Sequence, residues 1–571
     1  MPDTTPKTAI RGRPMVSPPP PVWRDLAWLI LLCAALYGFG LGRYPLNNPD
    51  EARYAEIPRE MIATRDYVTP RLNGVKYFEK PPLVYWLVAG CLNVFGASEG
   101  SARAIPAVFG TLGVLLLYGT ARRAHGRETA WWAALVLATN LIYFAHARIL
   151  LIDMVVAVLI SAVLFCFFLG VRTPAGAVRR WIFYGLYASA ALATLAKGLI
   201  GVLLPGAVMF LWLLLFNQWR RLRPLYLPTG LVIFAAIAAP WHLLVAQRNP
   251  EWAWFYFVHE HWLRFTTTAH GRFEPWWFFL PIVVLGLFPW TGFLVRALKQ
   301  AAAGGWARRG PNADNWFPLV WIGFILLFFS SSQSKLVPYV LPVIPPLAWL
   351  IGRAIVDLRA TDQASAWRRP LWFSAGFSLV LGIALLAVVF LPDVIKSPDQ
   401  LSHLKPLVWP AGLGLIAGAI VSWRLNHRGQ PQPALVVLVA ATGLLYYTLL
   451  LASPFVARPG TKALAEIVAR EADPDDLVLH YHEYFHDFSY YAQRTVGTVA
   501  AEGELEVFLD AEAQRSGHFM AEEGLRPLWT GSHQVYLILR KRELPELQKQ
   551  PWFKARVLGE EDNHVLISNH F

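Results

Sequence analysis

The sequence predicts a mainly α-helical, polytopic membrane domain followed by a small soluble α/β domain. Composition gives the class: of 571 residues 55% are hydrophobic and only 16% charged, a balance foreign to soluble globular chains. Apolar runs long enough to cross a bilayer, about 20 residues each, recur between residues 25 and 456. Beyond residue 457 charges become frequent and apolar runs shorten to strand length. The net charge of +13 does not indicate nucleic acid. Its basic residues stand in short clusters between apolar runs, the pattern of cytoplasmic loops.

Residues 1–22 carry Lys7, Arg11, Arg13 and a run of prolines and read as a disordered cytoplasmic tail. The run 25–44 is too long for a signal-peptide core and lacks a small-residue cleavage site, so it reads as a retained span. Further spans are expected over 103–121, 127–147, 152–172, 181–198, 199–217, 227–246, 275–297, 315–333, 340–357, 371–392, 406–424 and 434–456, thirteen in all. The apolar run 81–97 is assigned to a re-entrant or juxtamembrane segment. Only then do Arg122-Arg123, Arg179-Arg180, Arg220-Arg221, Arg308-Arg309 and Arg368-Arg369 all fall on the cytoplasmic side. Cys33, Cys91 and Cys166 lie in apolar runs without a CxxC pair, which supports neither a disulfide framework nor a thiolate metal site.

From 457 to 571 the strand-like runs Leu477–Tyr481 and Val535–Leu539 alternate with helix-like pieces, giving an α/β domain on the outer side. The His480 to His486 stretch interleaves histidines with aromatics and suits a strand and turn better than a metal site.

This topology sorts the unusual polar residues to one face, within the loops 45–81, 148–153, 247–275 and 334–342. The first loop opens with Asp50, Glu51 and Arg53 and is expected to form an amphipathic helix on the membrane, kinked at Pro58. It closes with Glu79 and Lys80 against Pro81. Arg148 and Asp153 follow in the second loop, Lys197 near the end of its span, His259, His261, Arg264 and Arg272 in the fourth loop, and Lys335 and Tyr339 in the fifth. A lone Arg or Lys at a span end commonly snorkels to the headgroups, and Arg148 and Lys197 are open to that reading. Carboxylates bordering apolar spans, such as Asp50 and Asp153, call for a function or a partner. Carboxylates, cations, histidines and a tyrosine drawn from separate loops make a catalytic constellation, and the excess of cations fits a phosphate-bearing substrate.

These segments together resemble the C-type integral-membrane glycosyltransferases of the protein mannosyltransferase-like superfamily. The Asp50-Glu51 pair, Phe78-Glu79-Lys80-Pro81-Pro82, Arg148 to Asp153, Leu195-Ala196-Lys197-Gly198, Glu260-His261 to Arg264-Phe265, and Lys335 to Pro342 match its recurrent motifs in order. Within it the chain is most similar to the bacterial lipid A aminoarabinose transferases. The resemblance implies transfer of 4-amino-4-deoxy-L-arabinose from undecaprenyl phosphate to a lipid A phosphate, at the periplasmic face of a Gram-negative inner membrane, by a monomer. It implies catalytic roles for Asp50, Lys80, Asp153 and Tyr339, with Lys80 and Tyr339 on the donor phosphate. Glu51, Arg53, Arg148, Arg264 and Lys335 are assigned to substrate binding. Glu79 with His259 or His261 is assigned to a divalent ion, zinc or magnesium. The rival readings are a related polyprenyl-phosphate-dependent transferase with a protein, glycan or other lipid acceptor, and a transporter. Transporters gather polar residues at the midplane of broken spans, whereas here they gather at span ends.

Overall fold

The computed structural model describes residues 21–258, 274–361, 363–388, 390, 398–456, 460–502 and 518–570. Each of the thirteen apolar runs forms helix, but they differ in length and continuity. Among the described residues eight helices are long and apolar enough to cross a membrane, or nine when one sharply bent pair is counted as a span. The helices leading to the site are α1 (Val22–Cys33), α2 (Asp50–Thr64), α3 (Leu83–Phe95), α4 (Glu99–His125), α5 (Arg127–Thr139), α6 (Leu141–His146), α7 (Ile152–Arg172) and α8 (Ala177–Lys197). Helix α7 is apolar on every side and buried over nearly its whole length, as a central span must be. Helix α4 is well delimited. Ser98 caps its N-terminus by accepting from the Ser101 N–H, Glu99 stands in the first turn, and Arg122, Arg123 and His125 stand in the last, all favourable to the helix dipole.

Two expected spans are interrupted, each for a visible reason. In 127–147 the chain breaks at Asn140, whose amide donates to the Val136 and Leu137 carbonyls at 2.9 and 2.7 Å and accepts from the Tyr143 N–H at 3.1 Å. One side chain thus closes α5 and opens α6. In 275–297 the helices Phe279–Gly286 and Thr291–Ala301 meet at a bend of 113°, across Pro289, which has no N–H to continue a helix. Helix α3, with 13 residues, is only about 20 Å long, short of the hydrocarbon thickness.

The first loop departs from expectation. Helix α2 does not lie as an amphipathic helix on a membrane surface: every residue from Glu51 to Met61 is buried. Its charges are accommodated by pairing. Glu51 meets Arg103, Glu56 meets Arg59 through two bonds of 2.7 Å, and Glu60 accepts from the backbone of the hairpin β1 (Arg71–Leu72) and β2 (Val75–Lys76) at Asn73 and Gly74. Burial, with the Glu56 carboxylate adding, pushes the Glu60 carboxyl up to about 8, against the two backbone donors and Arg59.

What covers α2 from outside is the C-terminal domain. Its sheet has the order β5 (Phe519–Met520), β4 (Gly497–Glu502), β3 (Leu477–Glu483), β6 (Val535–Arg540), β8 (His564–Ser568), β7 (Arg556–Glu561). The first four are parallel, and β8 and β7 close the sheet antiparallel. Strand β6 reads as a nearly continuous apolar run because both its faces are covered, and β3 is buried from Val478 to Tyr481 with His480 included. One face packs on Trp529, Leu547 and Phe553, and the other joins the helical core through Val478, Tyr536, Ile538 and Leu566. His480 belongs to this core. Its Nδ1 accepts from the Phe485 N–H at 3.1 Å, and burial, with His486 and His564 nearby, pushes the imidazole down to about 3.

Candidate active site at the end of the helical bundle

The first turn of α2 presents Asp50, Arg53 and Tyr54 where α7 begins and α8 ends. Arg53 reaches back one turn to the Asp50 carboxylate at 3.1 Å, and its guanidinium lies 5.9 Å from the Tyr77 ring centre. Asp50 is half exposed while Arg53 is buried, so the pair offers its carboxylate outward and holds its cation in place. Tyr54 sits behind them. Burial pushes its phenol well above the usual tyrosine range, and Asp50, Glu79 and Asp153 add to the shift against Arg53. The phenol thus lies within the electrostatic reach of three carboxylates from two loops, and remains a neutral hydroxyl.

Asp153, in the first turn of α7, pairs with Lys197, the last residue of α8. Each sits where its helix dipole favours its sign. The Lys197 ammonium also lies 4.7 Å from the centre of the Tyr339 ring, within cation–π range. Tyr339 packs in turn on Phe329, with ring centres 5.0 Å apart and planes tilted by 34°. Lys80 turns back on Glu79, donating to its carbonyl at 2.9 Å with a carboxylate oxygen at 3.5 Å. Lys335 is buried and donates to the Ser332 and Glu274 carbonyls at 2.6 and 2.8 Å. It pins the fifth loop to the end of the fourth.

Two residues assigned to substrate binding are instead committed to the scaffold. Glu51 is wholly buried. Its two oxygens accept from Arg103 at 2.8 and 2.7 Å, from Asn47, and from the Leu150 N–H at 2.8 Å. Arg103 spends its remaining donors on the carbonyls of Leu41, Tyr44 and Pro45, each at 2.8 Å. Arg148 donates to the carbonyls of Leu36, Tyr37 and Phe39 at 2.8–2.9 Å. These are carbonyls at the end of the first span that lack helical donors. Both oxygens of Glu51 are thus taken up by the scaffold, and three of the Arg148 N–H donors are spent on these carbonyls.

Residues 79–244 match the family description "Dolichyl-phosphate-mannose-protein mannosyltransferase", and residues 464–569 match "Aminoarabinose transferase C-terminal domain". The undecaprenyl phosphate-α-4-amino-4-deoxy-L-arabinose arabinosyl transferase of Aeromonas salmonicida is 33% identical, over 73% of this chain and 75% of its own length. A second such enzyme, from Pseudomonas fluorescens strain Pf0-1, is 30% identical over 81% and 80%. The chain belongs to this arabinosyl transferase family. The crystal structure of ArnT from Cupriavidus metallidurans bound to undecaprenyl phosphate superposes with a TM-score of 0.83 at 29% identity, covering 96% of this chain and 98% of that one.

Against the fold of an arabinosyl transferase the sequence-derived residues divide clearly. Asp50, Arg53, Glu79, Asp153 and Tyr339 gather around Tyr54 and Lys197, and Lys80 adjoins through Glu79. His259, His261 and Arg264 lie outside the described residues. Of the three residues assigned to a metal only Glu79 is described, and no group of three or more His, Cys, Asp or Glu suited to a metal occurs among the described residues. Tyr54 was not singled out from the sequence, although it lies one helical turn past Asp50. Lys197 was noted there, but a snorkelling lysine carries the same sequence signal.

Proposed function

We propose that this arabinosyl transferase moves 4-amino-4-deoxy-L-arabinose from undecaprenyl phosphate to a phosphate of lipid A, at the periplasmic face of the bacterial inner membrane. The C-terminal domain is then periplasmic, and the chain acts as a monomer. The grouping of Asp153, Lys197 and Tyr339 beside the Asp50–Arg53 pair carries the reading: carboxylates and cations alternate at the bundle end, where two lipid-borne phosphates can meet.

In the proposed step an ionised oxygen of the acceptor phosphate attacks the anomeric carbon of the sugar. A new C–O bond forms as the bond to the donor phosphate breaks, and the electron pair leaves on undecaprenyl phosphate. Lys80 and Lys197 neutralise the charge growing on that leaving group. Tyr54, a neutral phenol, can donate a hydrogen bond to it. Asp50, half exposed, orients the sugar through its ammonium. An acceptor oxygen that is already ionised needs no general base, so no carboxylate is asked to remove a proton. The scheme likewise calls on no divalent ion at Glu79. Modified lipid A carries less negative charge, which is how the reaction would protect against polymyxin and other cationic peptides.

The deciding experiment is a mass spectrum of lipid A from cells with and without this chain, the donor pathway being intact. The expected result is an aminopentose mass that appears only with the chain. Identical spectra would sink the assignment.

A further inference from the structure

At the end of the bundle away from Asp153 there is a second feature that sugar transfer does not use. The helix Ile344–Ala360 starts beside the Tyr339 turn and reaches Asp357 roughly 20 Å further along its axis. There a groove of about 1250 Å³ opens between the bent segment Thr291–Ala301 and the helix Ala364–Val388. Its origin is mechanical. Gly292 crosses that helix so closely that a Cβ would lie 2.0 Å from the Pro370 carbonyl. Beside this crossing the gap stays open, lined by Val295 and Lys299 on one side and Arg369 and Phe373 on the other.

The groove has two kinds of lining. Val295 and Phe373 are 61% and 60% exposed, which in a membrane protein means open to lipid. Arg296, Lys299 and Arg369 line the same groove. None of the three has an ion-pair partner among the described residues, and the Arg296 Nε is buried without an acceptor. The single carboxylate of the lining, Asp357, is engaged by the Gln300 amide. Apolar walls with a cationic mouth are complementary to a molecule with an acyl tail and an anionic head. The volume exceeds the ~300–1,000 Å³ of ordinary small-ligand pockets, as an acyl chain requires.

We propose that this groove binds an anionic phospholipid of the leaflet opposite the catalytic face. Its phosphate is held by Arg296, Lys299 and Arg369, and an acyl chain lies along Val295 and Phe373. Basic pockets between membrane helices select anionic headgroups in this way. The site is independent of the sugar chemistry and needs only the bundle end to which the groove opens.

The test uses the purified full-length chain in detergent, with native mass spectrometry for retained lipid and thermal unfolding on adding phosphatidylglycerol or phosphatidylcholine. The expected result is a retained phosphatidylglycerol adduct and a rise in midpoint with phosphatidylglycerol alone. Each cation near a lipid phosphate contributes about fivefold in affinity. The variants Lys299→Gln and Arg369→Gln, at exposed positions that spare the fold, should each bind about fivefold more weakly. The triple variant that adds Arg296→Gln should bind roughly 100-fold more weakly. Equal response to both lipids, or undiminished phosphatidylglycerol binding by the two single variants, overturns the proposal. Sugar transfer by the same preparations is scored separately. A chain that binds phosphatidylglycerol in this way but transfers no aminoarabinose fails the function proposed above and leaves this site standing.

Discussion

Glu51 of α2 and Arg103 of α4 are both fully buried and joined by two hydrogen bonds of 2.7–2.8 Å. The pair fastens the site-bearing helix to a membrane span, and the Arg103 donors left over hold the carbonyls of the connecting chain. Asp50, the preceding residue, is half exposed and, among the described residues, bonded to Arg53 alone. Two adjacent carboxylates therefore have opposite destinies, one buried in the scaffold and one half exposed at the bundle end.

Removing one partner from a buried ion pair strands the other charge, at a cost of about 3–5 kcal/mol. Glu51→Ala should therefore lower the yield of folded protein and its unfolding midpoint. Asp50→Asn should leave both unchanged and abolish most transfer. Size-exclusion profiles and thermal unfolding of the two variants, beside a transfer assay, check this. A stable Glu51→Ala protein with selective loss of activity would return Glu51 to substrate binding.

The contact of Asp153 with Lys197 and Tyr339 predicts a different signature. Lys197→Met removes a cation expected to act on the leaving phosphate, and on the order of 10²–10³ in kcat should be lost, as when one preorganised charge-stabilising donor is removed. Asp153→Asn should lose less, because the lysine remains. Partners that act together lose activity non-additively, so the double variant should be little worse than Lys197→Met alone. Strictly multiplicative losses in a double-mutant cycle would show that the two act separately.

Each part of this architecture was legible in proportion to how local its cause is. Apolar runs of span length mark helices because the bilayer imposes the length. Strand Val535–Arg540 stands out because a central strand covered on both faces is apolar nearly throughout, and Leu477–Glu483 by its Leu-Val-Leu start. The burial of α2 is not local. Its charged residues look solvent-facing until Arg103, some fifty residues on, and the C-terminal domain supply their partners and cover. The break at Asn140 is hidden for a related reason, since one asparagine in an apolar run does not announce that it caps two helices. At the site, Asp50 and Asp153 were readable because a carboxylate beside a span is costly. Arg148, an isolated arginine, could not be told from a substrate ligand until its carbonyl partners were seen.

Two buried groups tilt stability in opposite directions with pH. The folded protein keeps the Glu60 proton up to about pH 8, whereas an unfolded chain releases it near the ordinary value of 4.5. The associated stability is full below 4.5, declines as pH rises towards 8, and is level above. His480 behaves conversely. An unfolded chain takes up the proton near 6.5 and the folded one only near 3, so stability falls as pH drops through that window. Unfolding midpoints measured from pH 5 to 9 should show Glu60→Gln losing less stability than the parent on the alkaline side. The amide keeps an acceptor for one of the Asn73 and Gly74 N–H groups, so the variant starts from a lower midpoint and the comparison is of slopes with pH. A variant whose pH profile parallels the parent's would show that Glu60 is already ionised in the folded chain.

Among the described residues the C-terminal domain reaches the site through α2 and its loop, and this predicts an action at a distance. Asn73 exchanges two hydrogen bonds of 2.9 Å with the Val496 backbone. The Asp487 N–H donates to Asn48 at 3.1 Å, and the Leu46 N–H donates to Tyr491 at 2.8 Å. These bonds clamp both ends of the segment that carries Asp50 and Arg53, yet none involves a residue proposed to meet substrate. Asn73→Ala leaves a buried N–H and C=O of Val496 unmatched, at a cost of about 1–3 kcal/mol each. Position matters steeply at a reacting centre, where a displacement of about 1 Å can cost on the order of 10²-fold. Loosening the clamp should therefore lower kcat by roughly tenfold or more, with the membrane helices intact. The readouts are transfer kinetics and limited proteolysis of the 45–81 loop, which should be cut faster in Asn73→Ala and Tyr491→Phe than in the parent. Faster cleavage with unchanged kcat would mean that the domain shields the loop without positioning it. Unchanged cleavage would mean that the clamp does not hold the loop at all.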